Sequence, residues 1–348
     1  MDADRPPLTS GRVARHHLAS GRYRNPWPGA KPTSFWGLQR WLAERVRRRL
    51  NGTLPRTPGA SAFAVAAPDI VMPRSGAGEC RVTWVGHSTC LLQVGGVNIL
   101  TDPVWSERAF PVQWIGPRRL VPAAVRLDAL PPIDLMLLSH NHYDHFDTTT
   151  IRELARRHPA ASWVCPLGLP PALATLGVNG ATAFDWWDQR AVATPGGPVS
   201  VRATPAQHFS GRTPFDRDAT LWCGFAVAVA GWRVLFVGDT GFHPEFAEVG
   251  AAGGPFDVAL VPIGAYEPRW FMRPVHMNPE EALDAFDAAS PNGRRCVFVP
   301  IHWGTFHLTD EPMDEPPRRI REGWRARGRR PDDLWVLRHG ETRVISKP

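Results

Sequence analysis

The chain reads as a mixed α/β (α+β) fold in which two β-sheets pack face to face with helices on the outside. Short apolar runs recur along it, each closed by a Gly or Pro turn, as strands are. They fall into two broad halves, each running strands and then helix, with no repeat of fixed period. Composition supports a large core: 43% of the 348 residues are hydrophobic and fifteen are Trp, while 36 Pro and 31 Gly imply short strands and many turns.

Residues 1–75 read as a basic, Pro/Gly-rich extension ahead of a domain spanning 76–348, with "NPWPGAKP" and "PRTPGA" as linkers. Between the linkers, "FWGLQRWLAERVRRRLNG" spaces Trp36, Leu38, Trp41, Leu42, Val46 and Leu50 as an amphipathic helix does, with a basic opposite face. Docking of this helix on the domain is the expectation, with membrane insertion the alternative. From Cys80 onward, "RVTWVG", "CLLQV", "VNILTD" and "IDLMLLSH" are short strands. "TTTIRELARRHP" follows as a helix capped by Thr, with Ile151, Leu154 and Ala155 on one face. The second half supplies "SWVC", "VSVRATP", "WCGFAVAVAG", "RVLFVGD" and "DVALVPIG" as strands, then the helix "NPEEALDAFDAAS" capped by Asn278. "RCVFVPIHWG", "LWVLRHG" and "TRVISK" read as the last strands.

The formal net charge of +7 invites a nucleic-acid reading, but its distribution argues against one. Residues 1–56 hold twelve Lys/Arg against three Asp/Glu, so the rest of the chain is slightly acidic and no nucleic-acid partner is expected. The basic excess suits a solvated face or contact with anionic lipid. Five scattered cysteines without a C-x-x-C fit a reducing compartment. No apolar stretch approaches a membrane span, so a cytoplasmic protein, at most peripherally attached to a membrane, is expected. An oligomer is compatible with the sequence.

The densest chemistry lies in Ser139–Asp147, "SHNHYDHFD", directly after an apolar strand. Side chains alternate along an extended chain, so His140 and His142 face one way. If the chain then turns into the following helix, Asp144 and His145 swing towards a second point. Imidazole and carboxylate at that density suit zinc, iron or manganese. Three further ligand-type residues close apolar runs: His208, Asp239 and His302.

H-x-H-x-D-H followed by a lone His, an Asp and a final His resembles the metallo-β-lactamase superfamily. "NPWP", "LTDPVW", "GPRRL", "PPIDLMLLSHNHYDHFD", "DWWD", "GDTGF", "PIGAYEPRWFM", "HMNPEEA" and "IHWGTFHLTDEP" narrow the likeness to the N-acyl-phosphatidylethanolamine-hydrolysing phospholipase D family, from about residue 21 to the C-terminus. The resemblance implies an αββα sandwich of two mixed sheets with helices on the outer faces, and a catalytic domain over 76–348. It also implies two zinc ions per chain, one on His140, His142 and His208 and one on Asp144, His145 and His302, bridged by Asp239. Zinc over iron or manganese follows the family. Gln113 and Trp114 occupy a substrate-side stretch where the family has a smaller aromatic.

The implied chemistry is attack of a metal-bound hydroxide on the phosphorus of N-acyl phosphatidylethanolamine or a related lipid phosphodiester. Asp144, Asp239 and His276 are the expected catalytic residues, with His276 binding phosphate or protonating the leaving oxygen. Asp147 is expected to orient a ligand histidine, His87 to lie beside the metals, and Tyr266 and Glu267 to flank the substrate. His16, His17, His158, His243, His307 and His339 are assigned surface or structural places. A lactonase or other small-molecule hydrolase on the same site is the alternative, disfavoured by the apolar, aromatic stretch "WSERAFPVQWIGPRRL" (105–120). A nuclease is less favoured again.

Overall fold

The computed structural model describes residues 15–30, 34–290 and 295–347; the first fourteen residues of the basic extension and the end of its first linker lie outside that range. Two sheets are present. The first holds β1 (Glu79–Gly86), β2 (Thr89–Val94), β3 (Val97–Thr101), β4 (Leu135–Leu137), β5 (Ser162–Pro166), β6 (Thr182–Phe184) and, from the far end of the chain, β13 (Thr342–Ser346). Its order is β13-β1-β2-β3-β4-β5-β6, antiparallel as far as β3 and parallel beyond. The second contains β7 (Gln189–Val192), β8 (Val199–Thr204), β9 (Gly224–Val229), β10 (Trp232–Phe236), β11 (Val258–Pro262) and β12 (Val297–Ile301). It runs β12-β11-β10-β9-β8-β7, with β10, β11 and β12 parallel and the others antiparallel.

Strands covered on both faces read as unbroken apolar runs, and β2 shows why. Cys90, Leu92 and Val94 point into the core between the sheets, whereas Leu91 joins a second core beneath α2 (Thr148–Arg157) and α3 (Pro170–Ala174). On the far side, α4 (Phe246–Gly253), α6 (Pro279–Ala289) and α7 (Glu315–Ala326) cover the second sheet, with Phe286 and Trp324 packed edge-on against Phe298, and the short α5 (Arg269–Met272) lies in the connection between β11 and α6. The result is the expected sandwich of two mixed sheets between helical layers.

The structure departs from the sequence reading locally: it adds β6, β7, α3 and α4, which the sequence reading did not name, and differs from it in the places that follow. "LWVLRHG" forms no strand: Trp335 and Leu337 are buried, but the segment meets β12 through Trp335 N donating to Phe298 O and an isolated Leu334–Phe298 bridge. The α2 cap is Asp147 rather than Thr, accepting from the amides of Thr149 and Thr150. At α6, Asn278 is the cap as expected, in a reciprocal capping box with Glu281. Helix α7 escaped the sequence reading because it opens on Pro316-Pro317, a pair that looks like a breaker but sits in a first turn whose amides need no intrahelical partner.

The extension packs on the domain. Trp27 is buried, stacked on His243 and Trp186 at 4.6 and 5.5 Å. Helix α1 (Phe35–Leu50) docks, but not on the face expected. Trp41, Arg45 and Arg48 face the domain: Trp41 stacks on Phe271 and donates to the buried Asp310, which both arginines also reach at 3.2 Å. Leu42, Val46 and Leu50 are left exposed, with Trp36 at 77%. Of the described residues, no helix is long and apolar enough to cross a membrane.

Candidate metal centre

The site forms where strand ends of both sheets meet. After β4 the chain continues to Ser139–His140, then turns back at His142, whose carbonyl accepts from the amides of both His145 and Phe146. That turn sorts the motif into two sets. His140, His142 and His208 present donor atoms within 4.8 Å of one another, and Asp144, His145 and His302 do so together with His87. His208 follows β8, Asp239 follows β10 and His302 follows β12. The backbone is bent to achieve this: His87, Asp102 and His302 have φ of 55°, 30° and 61°, conformations that persist in non-glycine residues only where surroundings enforce them. Gly264, at the exit of β11, permits the closest approach, since a Cβ there would lie 2.1 Å from His302 O.

Hydrogen bonds fix which imidazole nitrogen faces inward. Asp102 accepts from Ser139 N at 2.7 Å and Ser139 Oγ at 2.5 Å. The Ser139 hydroxyl proton is thereby committed, so its oxygen accepts from His140 Nδ1 at 2.9 Å and leaves Nε2 as a lone pair. His145 Nδ1 donates to Asp102 Oδ2 at 2.6 Å, and His208 Nδ1 to Val275 O at 3.0 Å, with the same consequence. His140 Nε2 and His208 Nε2 then sit 2.9 and 3.1 Å from His142 Nδ1. One imidazole proton cannot satisfy both of those acceptors, whereas a cation between the three nitrogens does.

The second set has the same unmet demand. His145 Nε2 and His302 Nε2 approach Asp239 Oδ2 at 3.1 and 3.0 Å, yet both nitrogens and Asp239 Oδ1 are buried without a hydrogen-bond partner. Asp239 Oδ2 is also 3.9 Å from His208 Nε2, so this carboxylate lies between the two sets. Burial pulls His142 down to about 3 and His208 to about 4, and holds His140 well below the usual imidazole range, which keeps those rings neutral as ligands must be. Burial also opposes charge on His302, but Asp239 and Asp144 prevail and push it up to about 9. His145 is raised in the same way by Asp239, Asp144 and Asp102. Despite their burial, His145 and His302 hold Asp144 and Asp239 well below the usual carboxylate range. Protons thus take the place of cations here, and the residues fit divalent metal.

The remaining expected site residues divide. His87 lies against the cluster, with Nε2 3.0 Å from Asp144 Oδ2 and its ring 4.1 Å from that of His302. His276 is buried, 3.9 Å from Asp239 Oδ2 through an otherwise unpartnered Nδ1, with its ring 5.0 Å from His208. Asp147 does not orient a histidine. Its oxygens are taken by the cap, by Ser106 Oγ and by the amides of Trp105 and Ser106, so it ties α2 to the loop after β3. Tyr266 and Glu267 also have other work: the Tyr266 hydroxyl donates to Glu315, and Glu267 accepts from Arg269 N. Gln113 braces its own loop on Arg108, leaving Trp114 exposed at the tip. That loop reaches the centre through Phe110, whose ring is 6.0 Å from Tyr143 inside the metal motif.

Sequence reasoning missed the residues that hold these histidines in place. Asp102 serves His145 directly and His140 through Ser139; its signal was a carboxylate closing the strand run "VNILTD". Asn25 braces His208 from the extension, donating to its carbonyl at 2.8 Å and accepting from its amide at 3.2 Å. No local pattern announces a contact across 183 residues.

Residues 97–303, more than half of the chain, match the Beta-lactamase superfamily domain, and the chain belongs to that superfamily. With its relatives this makes it a metal-dependent hydrolase. At closer range it is 38% identical over 252 residues to N-acyl-phosphatidylethanolamine-hydrolyzing phospholipase D 1 of Caenorhabditis elegans, covering 70% of each chain. It is also 41% identical over 290 residues to an uncharacterized protein of Mycobacterium tuberculosis, covering 83% of this chain and 75% of that one. Among solved structures, the metallo hydrolase Igni18 of Ignicoccus hospitalis shares the fold, with a TM-score of 0.57 at 23% identity over 78% of this chain and all of that one.

Proposed function

We propose that the chain is a binuclear zinc hydrolase of phospholipase D type, cleaving N-acyl phosphatidylethanolamine or a related lipid phosphodiester. The observation that carries this is the pair of donor sets with Asp239 between them. Two ions held there would supply activation of water near neutral pH and would offset the charge that builds on a phosphoryl group. The similarity to a phospholipase D supports a phosphodiester as the substrate class.

Within that reading the chain's own residues divide the work. His140, His142 and His208 would hold one ion and Asp144, His145 and His302 the other, with Asp239 lying between the two sets. His276, neutral because burial lowers its pKa, offers an N–H to a phosphoryl oxygen or to the departing alcohol. Cleavage at the P–O bond of the head group yields phosphatidate and an N-acylethanolamine. Phe110, Trp114 and Ile115 give the adjoining loop an exposed apolar rim suited to acyl chains. The outward apolar residues of α1, beside the exposed Arg47 and Arg49, have the composition of a segment lying in an anionic headgroup layer.

The test is turnover by the zinc-loaded protein on N-acyl phosphatidylethanolamine, plain glycerophosphodiesters, bis(p-nitrophenyl) phosphate, lactones and a β-lactam. The lipid diester is expected to be fastest. Turnover confined to lactones or the β-lactam would refute the phosphodiesterase reading.

A further inference from the structure

A second group of metal-type donors stands apart from the centre described above. His16 and His17, at the start of the described extension, converge on Asp185 in the "DWWD" turn after β6: His16 Nε2 is 2.7 Å from Oδ1 and His17 Nε2 is 2.9 Å from Oδ2. All three donor atoms lie within 4.8 Å of one another. The two separations from Asp185 lie at or just below the 2.9 to 3.1 Å between neighbouring donors in the metal centre. The ring geometry matches. His16 and His17 meet edge-on with centroids 4.5 Å apart at 72°, while His140 and His142 meet at 4.5 Å and 84°.

We propose that His16, His17 and Asp185 form a separate divalent-metal site that closes the N-terminal strap onto the domain. Two imidazoles and a carboxylate are a donor set for a borderline ion such as zinc. The donors are positioned without any ion: His16 stacks on Trp186 at 4.2 Å, His17 packs edge-on against Tyr23, and Asp185 accepts from Trp186 N at 2.8 Å. His16 is buried while the His17 side chain is 39% exposed, so an ion arriving from solvent can complete its coordination with water.

The strap leads to the catalytic side. Nine residues after His16 comes Asn25, gripping the backbone of His208, and two further on Trp27 enters the core. An ion at His16–His17–Asp185 would therefore restrain the segment that braces one of the centre's own histidines. The ion's role is to hold the strap closed, and it does not depend on which substrate the enzyme cleaves.

Untagged full-length protein is dialysed to equilibrium against zinc alone, and bound zinc is counted for wild type, His17→Ala and Asp185→Asn. His17 is exposed, and the amide introduced by Asp185→Asn keeps a hydrogen-bond acceptor, so both variants are expected to fold. Wild type should hold one ion more than either variant; this difference stands whether the catalytic centre takes one ion or two. Amide hydrogen exchange over residues 15–30 should slow on zinc addition in wild type and not in His17→Ala. An equal zinc count in all three proteins overturns the site and leaves a hydrogen-bonded latch. A lost ion with unchanged exchange overturns the strap-closing role.

Discussion

Asp102→Asn tests whether the hydrogen bonds behind the histidines set metal affinity. The Asp102 side chain accepts three hydrogen bonds, from Ser139 N, Ser139 Oγ and His145 Nδ1, and is fully buried. An amide supplies one acceptor oxygen. Wherever that oxygen sits, the NH2 group faces either Ser139 N or the Ser139 Oγ–His145 Nδ1 pair, donor against donor. A buried donor left unpaired costs about 1–3 kcal/mol. If His145 escapes by moving its proton to Nε2, it loses the lone pair that faces the centre, and His140 loses its orientation through Ser139. At about 1.4 kcal/mol per tenfold, zinc affinity should fall roughly 10- to 100-fold, the range usual for partners of metal-bound histidines. Competition with a chromophoric chelator measures this directly, on protein shown by circular dichroism to be folded. An affinity within about threefold of wild type would refute the reasoning, since tautomer control would then contribute less than one unpaired donor should cost.

Asp239→Asn should lower bound metal sharply, because a neutral amide spans two cations poorly; elemental analysis showing undiminished metal would remove Asp239 from its bridging place. His276→Ala should keep its metal and lose roughly 10²–10⁴-fold in turnover, and unchanged turnover on a lipid diester would make His276 a structural residue. In metal-free protein the folded pKa of His302, about 9, exceeds the unfolded value of about 6.5. Its stabilising contribution is thus full below pH 6.5 and lost as pH rises through 9. The Tm of chelated protein should decline across that window while zinc binding, which needs the neutral ring, tightens; a flat Tm would contradict the His302–Asp239 pairing. Leu42→Glu with Val46→Glu on α1 should abolish binding to anionic vesicles and spare turnover of a soluble diester, and vesicle binding that survives both changes would exclude this face as the contact.

Much of this was legible locally because the chemistry is local. Five of the expected site residues, His140, His142, Asp144, His145 and Asp147, lie within eight positions, and His208, Asp239 and His302 each follow an apolar strand whose length and texture show in sequence. Alternation along an extended chain predicts that His140 and His142 face one way, and the turn at His142 carries Asp144 and His145 to the other set. Asp147 shows the limit of such reasoning. A carboxylate next to a metal motif has the right chemistry to orient a histidine, but it also precedes a helix, and the unpaired amides of α2 claimed it.

What stayed hidden was pairing between distant segments. The fully buried Asp102 reads in sequence as the end of a strand, and Asn25 as part of a linker; each acquires its role only when the sheets bring it behind a histidine. Helix α1 misled for a related reason. Its apolar positions predict the docked face only if apolar burial decides, yet Asp310 is itself buried and needs cationic partners. Arg45, Arg48 and the Trp41 N–H meet that need, and the helix turns this side inward. Leu42, Val46 and Leu50 are then left at the surface. That outward face follows from where one carboxylate sits in the domain, which no periodicity within residues 35–50 could have revealed.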